Sequence, residues 1–270
     1  MQFERPSGDE VYNLMVSNSY QKHPRLFITS DEITQLKSDI QTNAFKRKGA
    51  DAVLTMADTL LSVGPVEYRL QDGLRLFDAC LDVRDRLVTL TTAFIVTDDI
   101  SKKRVYADRI WDEVENACNW KDWNVEKHYL DSGKIGPGIA LAYDVCYNYF
   151  TKEQKAFIRK SLCEKYLYYA QNSYAGLTDS HSIGKNTTNW GAVCNGSVLL
   201  ICLATMDEED AASEYTNLTK FLVQEALRGL EYSIVSTYPH GAWDEGVGYF
   251  RYVLEYLSWS ANALRTTCGN

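Results

Sequence analysis

The chain has 270 residues, of which 45% are hydrophobic and 24% charged, and its formal net charge is −8 at pH 7. This composition is typical of a folded globular protein and excludes a disordered chain. The acidic balance disfavours nucleic acid as a partner, because phosphate binding needs a basic surface.

Amphipathic periodicity predicts about ten helices in a single domain over residues 1–270, and strand-like alternation is nearly absent. The chain begins with a polar opening and an extended segment at His23-Pro-Arg-Leu-Phe-Ile28. The first helix is predicted at the capping signal Thr29-Ser-Asp-Glu32. The remaining helices are predicted over about 45–61, 74–96, 101–118, 136–150, 151–172, 190–204, 208–235 and 243–264. The predicted fold class is therefore all-α, with helices in antiparallel pairs.

The cysteines and the amino terminus of the chain allow predictions about metal binding and cellular location. Seven widely spaced cysteines without a Cys-x-x-Cys pair predict buried free thiols, and neither a zinc site nor a disulfide framework. We expect no cofactor and no metal in this chain, and a structural metal in a further carboxyl-terminal region is left open. Without an apolar leader or a long apolar run, no membrane partner is expected. The expected location is cytoplasmic, or periplasmic or secreted if a leader has been removed.

The densest segment is Tyr238-Pro-His-Gly-Ala-Trp-Asp-Glu-Gly-Val-Gly-Tyr-Phe-Arg-Tyr252. Its three glycines permit unusual backbone angles, and its His, Glu and Tyr side chains are able to transfer protons. A helix that starts near Asp244 would place Tyr249, Tyr252 and Tyr256 on one face. We interpret the segment as a site that leads into a helix. The alternative is that its aromatic residues pack in the core and Glu245 caps a helix.

A second candidate segment runs from His181 to Gly196 and includes Asn189, Trp190 and Asn195 at a helix start. An Asn amide binds a carboxylate or hydroxyl without burying a charge, and Trp offers a flat face to a sugar ring. The alternative is that Asn189 caps the helix and Trp190 packs in the core.

Two other histidine motifs are weaker signals. His128 and Asp131 are three residues apart, which is more typical of a surface hydrogen bond than of a site. His23-Pro-Arg25 is interpreted as structural. The glycines from Gly241 to Gly248 lack the Lys-Ser/Thr of a phosphate loop, which excludes nucleotide binding there.

Five segments of the chain, taken in order, resemble heparinase II/III-like proteins, a group that includes polysaccharide lyases of the heparinase and oligoalginate type. They are His23-Pro-Arg-Leu-Phe, Asp122-Trp-Asn with His128-Tyr-Leu-Asp131, Ala142-Tyr-Asp144, Asn189-Trp-Gly-Ala-Val-Cys-Asn195 and Tyr238-Pro-His-Gly-Ala-Trp-Asp-Glu-Gly-Val-Gly-Tyr249. The resemblance covers nearly the whole chain. It implies an incomplete (α/α) toroid of antiparallel helical hairpins, with a substrate cleft across it and an acidic oligo- or polysaccharide as partner.

The resemblance also implies β-elimination on glycans that contain uronic acid. In such lyases an Asn or His neutralises the uronate carboxylate, and a Tyr, often with a His, transfers the protons. By motif, Asn189 resembles the neutralising residue and Tyr249 the acid/base, and His240 and Glu245 complete the predicted catalytic set. The residues predicted to bind substrate are Trp190, Asn195, Trp243, Arg251, Tyr252 and His181.

The chain departs from the family pattern at three points. Trp190 follows Asn189 where the family often has His, and Ser132-Gly-Lys134 stands where many relatives carry a Glu. The family's carboxyl-terminal β-sandwich is expected to be absent from this chain. Two other functions are left open. One is a glycoside hydrolase that pairs Asp131 or Asp144 with Glu245, and the other is a non-catalytic glycan-binding protein.

Overall fold

The computed structural model describes residues 5–178, 183–237 and 240–269, and every regular element in these ranges is a helix. The all-α prediction is therefore confirmed. In chain order the helices are α1 (Gly8–Ser19), α2 (Ser30–Thr42), α3 (Ala44–Leu60), α4 (Phe77–Val96), α5 (Ile100–Asn119), α6 (Tyr129–Val145), α7 (Lys152–Leu162), α8 (Tyr168–Tyr174), α9 (Asn189–Thr205), α10 (Glu214–Ser236) and α11 (Val247–Cys268). A π-helical turn, Cys163–Leu167, joins α7 to α8 within the segment predicted as one continuous helix.

Capping side chains explain where several helices begin. Thr29 and Thr151 each accept a hydrogen bond from the backbone N–H three residues later, and that residue's side chain returns one. Both helix starts were predicted from this capping-box pattern. Asp99 and Ser213 cap α5 and α10 with their side chains. Helix α10 therefore begins at Glu214, six residues later than predicted, because the polar residues before Ser213 form turns.

The prediction of a non-helical opening was wrong, because residues 8–19 form α1. Ser7 and Glu10 form a capping box at its start. Val11 and Met15 are buried, and the helix packs against α10 and α11. Most residues of this segment are polar, so its narrow apolar stripe was not recognised in the sequence. Such a stripe suffices to bury one side of a surface helix.

The start of α6 was also predicted wrongly, seven residues too late. Glycines and Pro137 lower the helix propensity of this segment, so the pattern near Tyr129 resembled a loop. Tertiary packing overrides that preference. A Cβ atom on Gly136 would lie 2.8 Å from Ile201 Cδ1 of α9, and one on Gly138 would lie 2.8 Å from Arg84 Cα of α4. The glycines let three helices approach closely.

Helices α6 and α9 form the centre of the molecule, and nearly all of their residues are buried. Helix α4 packs on α6, α6 packs on α9, and α9 packs on both α10 and α11. The predicted buried thiols are confirmed for six of the seven free cysteines, and Cys268 is partly exposed. Among the described residues, no helix is both long and apolar enough to cross a membrane.

Two buried carboxylates hold the segment after α1 against this centre. Asp144 accepts hydrogen bonds from His23 Nδ1 at 2.7 Å and from the backbone N–H groups of Arg25 and Leu26 at 3.0 and 2.8 Å. The Arg25 guanidinium donates to both oxygens of Asp207, at 2.6 and 2.5 Å. His23-Pro-Arg25 is thus a structural motif, as interpreted from the sequence.

Candidate active site

One cleft of about 440 Å³ gathers residues from both segments that the sequence singled out. Its polar and aromatic lining includes His128 and Lys134 of the α6 region, Asn189 and Trp190 of α9, and Glu245, Tyr249 and Tyr252 at α11. Two larger cavities, of about 560 and 520 Å³, contain no residue of either segment. We therefore take the smaller cleft as the candidate active site.

Glu245 and Asn189 join the two segments directly. The Glu245 carboxylate accepts hydrogen bonds from the Asn189 backbone N–H at 2.5 Å and from Asn189 Nδ2 at 2.9 Å. Trp243 Nε1 donates to the same carboxylate at 3.2 Å. A carboxylate at a helix amino terminus is favoured by the helix dipole. Glu245 therefore positions Asn189. The cap of α9 is Thr188, so the alternative that Asn189 is the cap was wrong.

The His128–Asp131 pair lies in the cleft, although the sequence signal was weak. His128 Nδ1 is 2.6 Å from Asp131 Oδ1. Asp131 is fully buried, and its other oxygen accepts from the Leu76 backbone N–H at 2.7 Å and from Asn124 Nδ2 at 2.8 Å. Trp190 meets the His128 ring edge to face, with 5.2 Å between centroids. With Nδ1 held by a carboxylate, Nε2 is the nitrogen that can accept a proton.

Lys134 is a functional candidate that the sequence reasoning missed. Its side chain is 1% exposed, and its Nζ has no hydrogen-bond partner. The ammonium lies 4.0 Å from the ring centroid of Tyr252 and 4.7 Å from that of Tyr256. Burial, reinforced by the nearby Arg84, lowers the pKa of Lys134 to about 7. The signal was a single charged residue in the otherwise uncharged stretch 132–143.

The three tyrosines of α11 have different environments. Gly246, with φ of 82°, turns the chain into α11 at Val247. Tyr249 is half exposed, and its ring centroid lies 6.4 Å from that of Tyr252, so both line the cleft. Tyr256 is buried and donates from its hydroxyl to the Gly133 carbonyl at 3.0 Å. Tyr256 thus attaches α11 to α6.

Asn195 does not belong to this cleft. It is fully buried, its amide donates to the carbonyls of Ile183 and Gly191, and its oxygen accepts from the Tyr174 hydroxyl at 2.7 Å. Its polar atoms are used inside the core, which corrects its predicted role in binding substrate. His181, also predicted to bind substrate, lies outside the described residues.

Three other predicted residues are near Glu245 and Tyr249 in the sequence and do not line the cleft. His240 and Arg251 are exposed, and neither contributes to the described wall of the cleft. Trp243 is half buried, stacks on Phe250 with 6.0 Å between ring centroids, and supports Glu245 by its hydrogen bond. Of the histidines in the described residues, His128 lines the cleft, whereas His240, predicted to be catalytic, does not.

A second group of side chains has the composition of a metal site. Ligand atoms of His23, Asp207 and Glu208 lie within 4.8 Å of one another. Both Asp207 oxygens already bind Arg25, and His23 Nε2 lies 3.7 Å from Glu208 Oε1. Burial lowers the pKa of His23, but Asp144 and Glu208 more than offset this, so the pKa is raised. The side chains of His23 and Asp207 are already bound to Asp144 and Arg25, and we assign no metal to this group.

Among the residues that the structure describes, the carboxylates considered for a hydrolase do not line this cleft as a pair. Asp131 and Asp144 are both buried, and their oxygens bind protein N–H groups. Among the described lining residues, Glu245 is the only carboxylate, and it holds Asn189. The other described polar side chains of the cleft include the His128 imidazole, the Lys134 amine, the Asn189 amide, the Arg75 guanidinium and the hydroxyls of Tyr249 and Tyr252.

Comparison with models of known protein families gives no match, and comparison with curated proteins gives none. The assignment of a function therefore depends on the motifs of the sequence and on the geometry of the cleft. Cationic and hydrogen-bonding groups without a free carboxylate suit an anionic ligand.

Proposed function

We propose that the protein is a polysaccharide lyase that cleaves uronic-acid-containing glycans by β-elimination in this cleft. The observation that carries the proposal is the convergence of His128, Asn189 and Tyr249 on one cleft whose only described lining carboxylate is already bound. These are the residue types that elimination needs: a base, a carboxylate neutraliser and an acid.

In the proposed reaction, the Asn189 amide hydrogen-bonds the uronate carboxylate, which lets negative charge spread from C5 into the carboxyl group. His128 takes the C5 proton on Nε2, and the released electron pair forms the C4=C5 double bond. The C4–O bond breaks, and the departing oxygen takes the proton of the Tyr249 hydroxyl. Proton exchange with water then restores both side chains. The roles of Glu245 and Asp131 are to position Asn189 and His128.

We also propose that the helices form an incomplete (α/α) toroid, as the resemblance to heparinase II/III-like proteins implies. The packing order supports this arrangement, because α4, α6, α9 and α11 are successive neighbours. Helices α3 and α5 pack on α4, and α10 packs on α9, as expected for an outer layer. The cleft lies where α6, α9 and α11 begin.

The test is an elimination assay over a panel of uronate polysaccharides, because the new double bond absorbs near-ultraviolet light and a hydrolysis product does not. Tyr249→Phe is expected to lower the rate by about 10²–10⁴-fold and to leave the fold intact, since positioned proton transfer contributes about that factor. Tyr168→Phe is the matched control, because Tyr168 is 48% exposed and Tyr249 50%.

Each other outcome contradicts a specific part of the proposal. Full activity of Tyr249→Phe would remove the assigned acid. New reducing ends without absorbance would show a hydrolase. Binding of a uronate glycan with neither product would show a glycan-binding protein without catalysis.

A further inference from the structure

The buried side chain of Lys134 lines the cleft, and the proposed mechanism does not use it. The Nζ atom of Lys134 has no hydrogen-bond partner, and the side chain is 1% exposed. Burying a charge without a hydrogen-bond partner destabilises a protein, and buried charges are normally paired. A ligand whose acceptor atom hydrogen-bonds the Lys134 ammonium would therefore gain affinity from this contact.

The charged groups around Lys134 leave it without a counter-ion of its own. Arg84 of α4 lies between Asp85, at 2.9 Å, and Glu255 of α11, at 3.5 Å, so these acidic groups are occupied. Asp131, on the same helix as Lys134, is bound to His128. Cys194 of α9 stays a neutral thiol, because burial raises its pKa, and Arg75 is paired with Asp72 at 2.6 Å.

The Tyr252 ring lies against the Lys134 ammonium. The ring, with its centroid 4.0 Å from the ammonium, provides a cation–π contact. A carboxylate in direct contact with the ammonium would provide a stronger, charge-assisted hydrogen bond. Tyr252 is partly buried, and Tyr252 and Lys134 both line the cleft, so the ring lies beside the ammonium in the cleft wall.

We propose that Lys134 binds the acidic group of the sugar, and that the Tyr252 ring turns away from the ammonium when this anion enters. This inference rests on the proposed function for the class of ligand. It adds to Asn189 a second, charged contact for the same acidic substrate, and it makes binding depend on protonation. Neutral sugars would gain nothing from Lys134.

Proton uptake gives the inference a measurable signature. The pKa of Lys134 is about 7 before the ligand binds, so only part of the protein carries the ammonium at neutral pH. An anion that needs the protonated form binds less tightly as the pH rises through this value. Between pH 6 and pH 8.5 the expected loss of affinity is about 30-fold, since the protonated fraction falls about tenfold per pH unit above the pKa.

The experiment is titration calorimetry of the Tyr249→Phe protein, in which turnover is expected to be slowed by about 10²–10⁴-fold. The probes are tetrasaccharides of glucuronate, galacturonate, mannuronate and guluronate, with their carboxyl-reduced forms as neutral controls. At least one acidic probe is expected to bind about 30-fold more tightly at pH 6 than at pH 8.5. Lys134→Met is expected to lower affinity at pH 6 at least tenfold and to remove the pH dependence.

Two further variants distinguish the contribution of Lys134 to binding from the contributions of other residues. Lys134→Arg keeps the charge at every pH and is expected to bind with a flat pH profile, whereas a slope from His128 would persist in it. Lys155→Met is the matched control, because Lys155 also stacks on a tyrosine, Tyr147, and does not line this cleft. It is expected to bind as the parent protein does.

The outcomes distinguish this inference from the proposed function. If Lys134→Met keeps both affinity and slope, the inference is wrong, and elimination by the unmodified protein still supports the lyase. Binding that depends on Lys134 without any elimination by the unmodified protein would overturn the lyase and leave the inference standing. If none of the acidic probes binds, the inference is overturned.

Discussion

The two His–carboxylate pairs of this protein have nearly the same local geometry and different surroundings. His23 Nδ1 lies 2.7 Å from Asp144, and His128 Nδ1 lies 2.6 Å from Asp131. In both pairs the carboxylate is buried and also accepts backbone N–H groups. The difference lies on the other side of each ring.

The His23 ring is enclosed by protein. It stacks on Tyr147 with 3.9 Å between centroids, and its Nε2 faces Glu208 at 3.7 Å. The His128 side chain is 17% exposed and lines the cleft beside Trp190. A histidine held by a carboxylate is therefore structural when its second nitrogen is enclosed, and available for chemistry when that nitrogen borders a cleft.

The largest expected effect comes from breaking the enclosed pair. Asp144→Asn removes a buried charge that accepts from three donors and places an amide donor against backbone N–H groups. We expect the free energy of unfolding to fall by about 3–5 kcal/mol. Urea unfolding followed by circular dichroism measures this, and the turnover of the protein that remains folded should be unchanged. A loss below about 1 kcal/mol would contradict the structural role.

His128→Gln should have the opposite pattern. We expect turnover to fall by at least about 10²-fold, because a proton acceptor is lost, with less than about 1 kcal/mol change in the free energy of unfolding. Rates on the active uronate substrate and urea unfolding measure the two quantities. A larger loss of turnover in His240→Gln than in His128→Gln would return the catalytic role to His240.

Lys134→Met should stabilise the folded protein in acid. The pKa of Lys134 is about 7 in the folded state and 10.5 as its ordinary value, so the unfolded chain binds more protons between these values. Stability therefore rises with pH over this window, and the penalty is complete below about pH 7. After allowing for the lost cation–π contact, we expect a gain of about 2 kcal/mol at pH 6 that vanishes near pH 10. Destabilisation at pH 6 would contradict this prediction.

The smallest expected effect is a pH dependence from His23. The carboxylates Asp144 and Glu208 offset the effect of burial and raise the pKa of His23 above 6.5. Its stabilising contribution is complete below pH 6.5 and is lost as pH rises through the raised value, with a slope of at most about 1.4 kcal/mol per pH unit.

Above pH 7, Lys134 makes the free energy of unfolding rise with pH, whereas His23 makes it fall. The pH slope from His23 is therefore best measured by thermal unfolding of the Lys134→Met protein. Adding His23→Gln to this variant should remove the slope. An unchanged slope after His23→Gln would assign the pH dependence to another group.

Local patterns predicted those parts of the protein that depend on neighbours in sequence. The capping signals at Thr29 and Thr151 place two helix starts correctly, since a cap needs only the next three residues. The two unusual segments around Asn189 and Glu245 were identified because their glycines, amides and aromatics are rare in plain helices. Their direct contact agrees with the expectation that they belong to one site.

Tertiary structure alone decided the rest, because burial and long-range pairing are not local properties. The glycines of α6 lower its helix propensity, yet close packing against α4 and α9 requires them. Asn195 has the residue type of a ligand-binding group, and its position in the core removes it from the site. The sequence by itself determined an all-helical protein with its unusual residues in two segments. The fold decided that His23 is enclosed, that His128 borders the cleft and that Lys134 has no hydrogen-bond partner. These three environments depend on which residues distant helices bring into contact.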